Sequence, residues 1–97
     1  SGGTPLYQAA WDGHAEVVKL LLAAPGIDVN KANKYGSTPL YWAARFGHAE
    51  VVKLLLAVPG IDVNKAGSDG CTPLKTALIN SSKTECPELI RAAGGHE

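Results

Sequence analysis

The sequence predicts an all-α solenoid of short helix–turn–helix units stacked side by side. The motif Thr-Pro-Leu begins at Thr4, Thr38 and Thr72, so the chain repeats every 34 residues. Residues 4–37 and 38–71 align without a gap and agree at 26 of 34 positions. Each unit carries signals for two helices, both shorter than the ~12–15 residues at which an isolated helix becomes marginal in water. The units can therefore hold their shape only by stacking on one another.

The first helix of each unit begins at the Thr-Pro pair and ends at a glycine. In the first unit, Thr4 is a good N-cap, and Pro5 suits the first helical position, where its missing N–H costs nothing. Leu6 and Ala9 follow on one face of the predicted helix. Gly13 ends it, because glycine adopts the left-handed conformation of a helix terminus without a steric penalty.

The second helix of each unit carries an apolar stripe. In the first unit, Glu16 lies in the first turn, where a negative charge suits the positive end of the helix dipole. Pro25 and Gly26 end this helix, and residues 27–30 lead extended into a turn that closes at Gly36. The positions that we expect to face an apolar neighbour are Val17, Val18, Leu21 and Leu22.

Residues 72–97 form a third, divergent unit that we expect to cap the array. A terminal unit needs a polar outer face, and Pro87 fits only the first turn of a helix, which predicts a short last helix. The chain is predicted to be one domain over residues 1–97, with repeats at 4–37 and 38–71. The polar residues expected on the outer face of the cap are Lys75, Asn80, Ser82, Lys83, Glu85, Glu88 and Arg91.

Composition limits the classes of function. Nine Lys and Arg balance nine Asp and Glu, so the chain lacks the positive charge that attracts nucleic acid and anionic membrane surfaces. No apolar run approaches the ~18 residues of a membrane span. Cys71 and Cys86 are too few for a disulfide-stapled fold or a structural zinc site and predict free thiols in a reducing compartment. We therefore expect an intracellular, cytoplasmic protein that binds neither nucleic acid nor membranes.

The most regular unit begins with the run GSTPLYWAARFGHAEVVKLLL at residues 36–56 and continues with GIDVN at residues 60–64. This pattern resembles an ankyrin repeat. The resemblance covers essentially the whole chain, weakly after Cys71, and implies β-hairpin-like turns between the units. It also implies a non-enzymatic protein–protein interaction module that binds a protein partner through the concave face of its first helices and through its hairpin tips.

The chain departs from the usual ankyrin pattern in three places. Tyr7, Tyr41 and Lys75 stand where the family usually has a histidine, so the hydrogen bonds that this histidine makes between units are expected to change. Each long unit exceeds the usual length of about 33 residues by one, with the extra residue near Pro25 and Pro59. The third unit lacks the Gly-His pair of the other two.

Eight positions differ between the two long units. Three of them fall on the first helix at i, i+3 and i+4, opposite its apolar face, and four more cluster in the turn. The residues expected to pack are thus the same in both units, whereas the residues with which the family is expected to bind partners differ. The eight pairs are Gln8/Trp42, Trp11/Arg45, Asp12/Phe46, Ala24/Val58, Asn33/Gly67, Lys34/Ser68, Tyr35/Asp69 and Ser37/Cys71.

The candidate partner-binding surface is rich in aromatic side chains, which supply buried area, while Lys34, Arg45 and Asp69 are expected to set orientation. Replacing Trp42 or Phe46 by Ala is expected to cost ~1–3 kcal/mol of binding free energy and to spare the fold. The alternative is that Trp42 and Phe46 pack against neighbouring helices, as aromatic residues at helical spacing often do. The candidates are Gln8, Trp11, Asp12, Lys34, Tyr35, Trp42, Arg45, Phe46, Ser68, Asp69 and Ile79.

No combination of residues predicts catalysis, a cofactor or a metal site. No Ser, Cys or carboxylate has a base at a recognisable spacing, and no glycine-rich phosphate loop follows a strand. His14 and His48 share one Gly-His context that favours a structural role in a turn. Asp28 and Asp62 belong to Asp-x-Asn segments that lack the further oxygen ligands of a calcium loop, so turn hydrogen bonding is the better interpretation.

A structural role is the alternative to partner binding. The chain lacks Met and has no polar cap before Thr4, which favours an excised piece of a longer ankyrin array. Such a piece would expose an N-terminal face that could self-associate. The near-identity of the two long units also suggests an engineered scaffold without a native partner, although the irregular stretch 80–87 argues against full design.

Overall fold

The computed structural model describes residues 4–32 and 36–97, and within them the chain forms six short α-helices in two layers. One layer holds α1, α3 and α5, and the other holds α2, α4 and α6, each helix packing against its neighbours within and across the layers. The predicted all-helical solenoid is confirmed. The helices are α1 Pro5–Asp12, α2 Ala15–Leu22, α3 Pro39–Arg45, α4 Ala49–Leu56, α5 Pro73–Asn80 and α6 Cys86–Ala92.

The predicted β-hairpin character of the turns is not confirmed. No residue within 4–32 or 36–97 is in a β-strand. The turn that connects α4 to α5 is closed by hydrogen bonds from Gly67 N–H to the Cys71 carbonyl at 2.9 Å and from Gly70 N–H to the Gly67 carbonyl at 3.0 Å. These bonds hold a compact loop rather than a ladder of paired strands.

The helix ends follow from the repeated caps. Thr4, Thr38 and Thr72 each accept a hydrogen bond from the backbone N–H three residues later, at 3.1–3.3 Å. The predicted N-caps are thereby confirmed. Gly13 ends α1 at a φ of 75°, in the left-handed conformation expected for this position. Pro87 occupies the first turn of α6, which has only seven residues, as predicted.

The close approach of the first two units explains the Gly-His pair. A Cβ atom on Gly13 would lie 2.6 Å from Nδ1 of His48, so only glycine leaves room for this imidazole. Nε2 of His48 in turn donates to the Trp11 carbonyl at 3.0 Å. The third unit lacks this histidine and bonds to the second unit through a nearby serine, because Oγ of Ser81 donates to the Ala44 carbonyl at 2.7 Å. His48 thus has the structural role that its context favours.

The Asp-x-Asn segments tie each unit to the next through an asparagine side chain. Oδ1 of Asp28 accepts from the Asn30 N–H at 3.0 Å, which is the turn bond expected from the sequence. The Asn30 amide then reaches into the second unit, donating to the Gly60 carbonyl at 2.8 Å and accepting from the Asp62 N–H at 2.7 Å. Asn64 makes the same pair of bonds to the third unit.

The second helices of the two long units have the same sequence but different burial. Val51 of α4 is 1 % exposed, whereas the equivalent Val17 of α2 is 44 % exposed. Leu54 of α4 is half-buried, whereas Leu20 of α2 is 73 % exposed. The prediction that the whole stripe of α2 faces an apolar neighbour is therefore wrong for Val17. The described residues leave much of the Val17 side chain uncovered.

The core runs along the interface of the two layers and extends into the third unit. Leu6, Leu40 and Leu74 occupy the same position in successive units and are all buried. Cys86 and Ile90 of α6 complete the core in the third unit. All seven polar residues expected on the outer face of that unit are exposed. None of the described helices combines the length and the apolar character that crossing a membrane requires.

Candidate functional site

Four aromatic rings form one cluster across the boundary between the first two units. Trp11 on α1 lies 4.2 Å from Trp42 on α3 and 5.0 Å from Phe46, measured between ring centroids. Tyr7 lies 6.0 Å from Trp11 and 6.3 Å from Trp42. Residues four apart on a helix share a face, so Tyr7 pairs with Trp11, and Trp42 pairs with Phe46 at 5.7 Å. We call these four residues the aromatic cluster.

The rings of the aromatic cluster differ in their exposure to solvent. Trp11 is 36 % exposed and Phe46 is 43 % exposed, whereas Trp42 is half-buried beneath them. The indole N–H of Trp42 is buried and has no hydrogen-bond acceptor among the described residues. Trp42 thus packs against rings of both units, as the alternative interpretation held, and keeps part of its surface exposed. Trp11 and Phe46 contact the ring of Trp42 on one side and solvent on the other.

A polar group flanks the cluster beside Trp42. The hydroxyl of Tyr41 donates to Oδ2 of Asp69 at 2.7 Å, and Nη1 of Arg45 lies 3.9 Å from the same oxygen. The guanidinium of Arg45 also sits 5.8 Å from the centroid of the Trp42 ring, within range of a cation–π interaction. Oδ1 of Asp69 accepts from the Cys71 N–H at 3.0 Å. The turn that carries Asp69 is thus fastened to α3.

The hydrogen bond between Tyr41 and Asp69 shifts the pKa of both side chains. The bond donated by Tyr41 lowers the pKa of Asp69 below its ordinary value. Burial, together with the hydrogen bond to Asp69 and its charge, raises the pKa of Tyr41. At neutral pH the surface therefore presents a carboxylate bonded to a neutral phenol.

Some positions that differ between the two units take part in packing within the chain and do not form the exposed surface. A Cβ atom on Gly67 would lie 2.7 Å from the ring of Tyr41, so glycine here allows the turn to rest on that ring. Ser37 is buried, and Val58 packs against the core. Variation between the units therefore identifies surface positions only in part.

The remaining candidates are exposed or lie outside the described residues. Nε2 of Gln8 donates to Oδ2 of Asp12 at 3.1 Å, and both side chains are exposed. Ser68 is exposed in the turn, and Ile79 of α5 is 63 % exposed. Lys34 and Tyr35 lie outside the described residues.

The sequence interpretation missed a second exposed apolar surface, on α2 of the first unit. It is formed by Val17 and Leu20, and neither was a candidate. No local signal in the sequence identifies this surface, because the equivalent residues of α4 have the same types, yet Val51 is buried and Leu54 is half-buried.

The described part of the chain contains no assembled metal site, and its two cysteines do not form a disulfide. No group of three or more His, Cys, Asp or Glu residues there could hold a metal ion. Cys71 and Cys86 are free thiols. Cys86 is buried in the core, and that burial raises the pKa of its thiol.

Comparisons with known proteins bear on the repeats themselves. None of the curated proteins compared with the chain matches it. The family model for ankyrin repeats, in three copies, matches residues 6–95, which is nearly the whole chain. The match agrees with the three helix pairs, their repeated caps and the side-chain bonds that join each unit to the next. The chain belongs to the ankyrin-repeat family.

Proposed function

We propose that the chain is a non-enzymatic protein–protein interaction module that binds its partner through one surface of the first helices and the adjoining turn. Ankyrin repeats are in general protein–protein interaction modules. The observation that carries our choice of surface is the exposure of Trp11 and Phe46 on top of a packed ring. We call this the aromatic surface, and its residues are Trp11, Trp42, Arg45, Phe46, Ser68 and Asp69.

The packing of the rings supports this choice. Trp11 and Phe46 each contact Trp42, so their positions are largely fixed before a partner arrives. Binding then costs less side-chain entropy than it would for rings that are free to rotate. Exposed aromatic side chains with fixed positions are the residues that dominate the energetics of protein interfaces.

Polar groups at the border of the surface support a directed interaction. Arg45 lies between Trp42 and Asp69, so it can donate further hydrogen bonds without leaving its place. Gln8 and Asp12 bond to each other next to Trp11 on α1. Such groups are expected to orient the partner, while the rings supply buried apolar area.

A binding comparison between two exposed apolar residues tests the proposal. Binders would be selected from an unbiased peptide display library against the intact chain, and their affinities measured for Phe46→Ala and Leu20→Ala. Both residues are exposed, but only Phe46 lies on the aromatic surface. We expect Phe46→Ala to weaken binding by ~10- to 100-fold and Leu20→Ala to leave it within about twofold. Binding that is lost with Leu20→Ala and kept with Phe46→Ala would overturn the choice of surface.

A second function, as a stacking unit in an ankyrin array or in self-association, is favoured by the exposure of Val17 and Leu20. Sedimentation of the chain over a wide concentration range tests self-association. A concentration-dependent dimer that Leu20→Lys abolishes would support it, and a monomer at all concentrations would exclude it. For location we propose a reducing compartment inside the cell, an inference supported by the two free thiols.

A further inference from the structure

We infer that the aromatic surface binds an arginine side chain of its protein partner, with the guanidinium stacked on the rings of Trp11 and Phe46 and bonded to the carboxylate of Asp12. This inference rests on the proposed function and deepens it, because it names the chemistry of the partner. We call these three residues the arginine site. All three are exposed, so a partner can reach them without a rearrangement of the fold.

The chain already holds one arginine of its own in this way. The guanidinium of Arg45 lies 5.8 Å from the centroid of the Trp42 ring, and its Nη1 lies 3.9 Å from Oδ2 of Asp69. The face of an aromatic ring attracts a cation, and a carboxylate beside the ring adds hydrogen-bond acceptors and the opposite charge. A guanidinium between a ring and a carboxylate is therefore compatible with this surface.

The rings of Trp11 and Phe46 offer the same aromatic chemistry without a cation. No Lys or Arg within residues 4–32 and 36–97 lies over either ring. The two centroids are 5.0 Å apart and the ring planes are inclined at 63°, so one planar group can contact both rings. Both rings also pack on Trp42, which holds them in place before a partner binds.

Asp12 carries an uncompensated charge next to these rings. Asp69 is paired with Arg45, whereas Asp12 forms no ion pair with any residue that the structure describes. Its Oδ2 accepts a hydrogen bond from the neutral amide of Gln8 at 3.1 Å, which orients the carboxylate and leaves its charge unpaired. Charge complementarity therefore favours a cationic group on the partner.

The position of Asp12 in α1 supports a role in binding. It is the last residue of the helix, where the helix dipole is negative and a carboxylate is unfavourable. The equivalent residues Phe46 and Asn80 are uncharged, and α3 carries the basic Arg45 in its last turn. A charge that opposes its own helix is typical of a functional position. A bound cation would interact favourably with both the carboxylate and the helix end.

The arrangement of the helices allows one guanidinium to reach the rings and the carboxylate together. α1 and α3 pack side by side, and Asp12 and Phe46 occupy equivalent positions on them. Helices in contact lie ~8–10 Å apart, and Trp11, which is next to Asp12 in the chain, occupies part of the space between them. Arginine fits better than lysine, because its planar group stacks on a ring and donates two parallel hydrogen bonds to a carboxylate.

The first test uses small probes and needs no identified partner. The chain is titrated by NMR with N-acetyl-arginine amide and, separately, with N-acetyl-citrulline amide, which has a planar side chain of nearly the same shape and no charge. We expect the arginine probe to shift the indole N–H resonance of Trp11 and the side-chain amide resonance of Gln8. At equal concentration the citrulline probe should shift them at least about fivefold less.

Two variants assign the shifts to the arginine site. Asp12→Asn should reduce the shifts with the arginine probe to the level of the citrulline probe. Glu16→Gln makes the same change of charge at an exposed residue of α2 and should leave the shifts unchanged. Asp12→Asn is expected to fold normally, since the side chain is exposed and the lost charge opposed the helix. Absent shifts, or equal shifts with the two probes, would overturn the inference.

The second test measures the coupling between Asp12 and an arginine of a larger ligand. Peptides are selected from the display library against the intact chain, and those that Phe46→Ala weakens are made with each arginine replaced by citrulline. We expect one such replacement to weaken binding to the native chain at least about fivefold and to Asp12→Asn less than about twofold. The two changes remove the same interaction, so their effects should not add.

Two outcomes of the peptide comparison would overturn the inference and leave the proposed function standing. Peptides that need Phe46 but lose nothing with citrulline would show that the surface takes an uncharged apolar group. An equal loss with the native chain and with Asp12→Asn would show that the arginine binds outside the arginine site. If Phe46→Ala weakened none of the peptides, the proposed function itself would fail, and the inference with it.

Discussion

The aromatic surface and the exposed side of α2, formed by Val17 and Leu20, expose apolar side chains to a similar degree, but for different reasons. Phe46 is 43 % exposed and Val17 is 44 % exposed. Phe46 stands where the two long units differ and packs on rings from both units, whereas Val17 stands where the units are identical. Exposure at a position that varies between repeats therefore points to a binding role particular to that position. Exposure at a position that repeats depends on how each unit packs in the array, since the equivalent Val51 is buried.

The largest expected effect concerns Trp42, the half-buried ring of the aromatic cluster. Trp42→Ala removes the ring on which Trp11 and Phe46 rest, and we expect a loss of about 2–3 kcal/mol in the free energy of unfolding. The structure thus changes the sequence-based expectation that this substitution spares the fold. Urea denaturation measures the loss.

The matched variant for this prediction is Trp42→Phe. It keeps a ring in place and removes an indole N–H that has no acceptor among the described residues, so we expect a change below about 1 kcal/mol. If Trp42→Ala were as mild as Trp42→Phe, the cluster would contribute little to the fold, and Trp11 and Phe46 would not be held in position.

The next prediction compares the same substitution in α4 and α2, two helices with the same sequence. Val51→Ala in α4 should cost about 1–2 kcal/mol of unfolding free energy, because the side chain is buried between units. Val17→Ala in α2 should cost less than about 0.5 kcal/mol, because the side chain is largely exposed. Equal losses in urea denaturation would show that the neighbouring unit does not set the contribution of this position.

The smallest effect concerns the hydrogen bond between Tyr41 and Asp69 at the border of the aromatic surface. Tyr41→Phe removes it and should cost less than about 1 kcal/mol at neutral pH, since the Asp69 side chain is 43 % exposed. Thermal melts of the two proteins at neutral pH measure the difference. An effect near that of Trp42→Ala would mean that the bond stabilises the fold and does not merely fasten the turn.

The same bond has a pH dependence of known sign. The pKa of Asp69 is lowered, so its contribution is present above the ordinary value of 3.8 and is lost as the pH falls through the lower, folded value. The pKa of Tyr41 is raised, so its contribution is present below 10.0 and is lost as the pH rises through the higher, folded value. The stability difference between the native chain and Tyr41→Phe should be greatest between these limits. A difference that is constant down to about pH 2 would contradict this.

Local signals in the sequence were sufficient for the helices but not for the contacts between units. Thr38, Pro39 and Gly13 predicted caps and helix ends correctly, because capping depends on residues only three or four positions apart. The bond from Asn30 to Gly60 and the bond from Tyr41 to Asp69 join residues 30 and 28 positions apart. Which unit reaches which turn follows from how the units stack, and no local pattern encodes it.

The sequence likewise identifies residues that are able to pack, but not whether a neighbouring unit buries them. The apolar stripe identified the residues of α2 that are able to pack, including Val17. Whether a neighbour is present to cover that residue is a property of the array, so two identical helices differ. The burial of Trp42 also depends on a neighbouring unit. It lies opposite the apolar stripe of its own helix, but Trp11 from the preceding unit covers part of it.

The most direct test of the central claim is an NMR titration of the intact chain with a binder selected from the display library. Trp11 and Trp42 each give one indole N–H resonance, while the methyl groups of Val17 and Leu20 report on the exposed side of α2. The proposed function predicts that the resonances of the Trp11 indole and the Phe46 ring shift on binding, while those of the Val17 and Leu20 methyl groups do not. Shifts confined to Val17 and Leu20, with both indole signals unchanged, would contradict it and assign binding to the exposed side of α2.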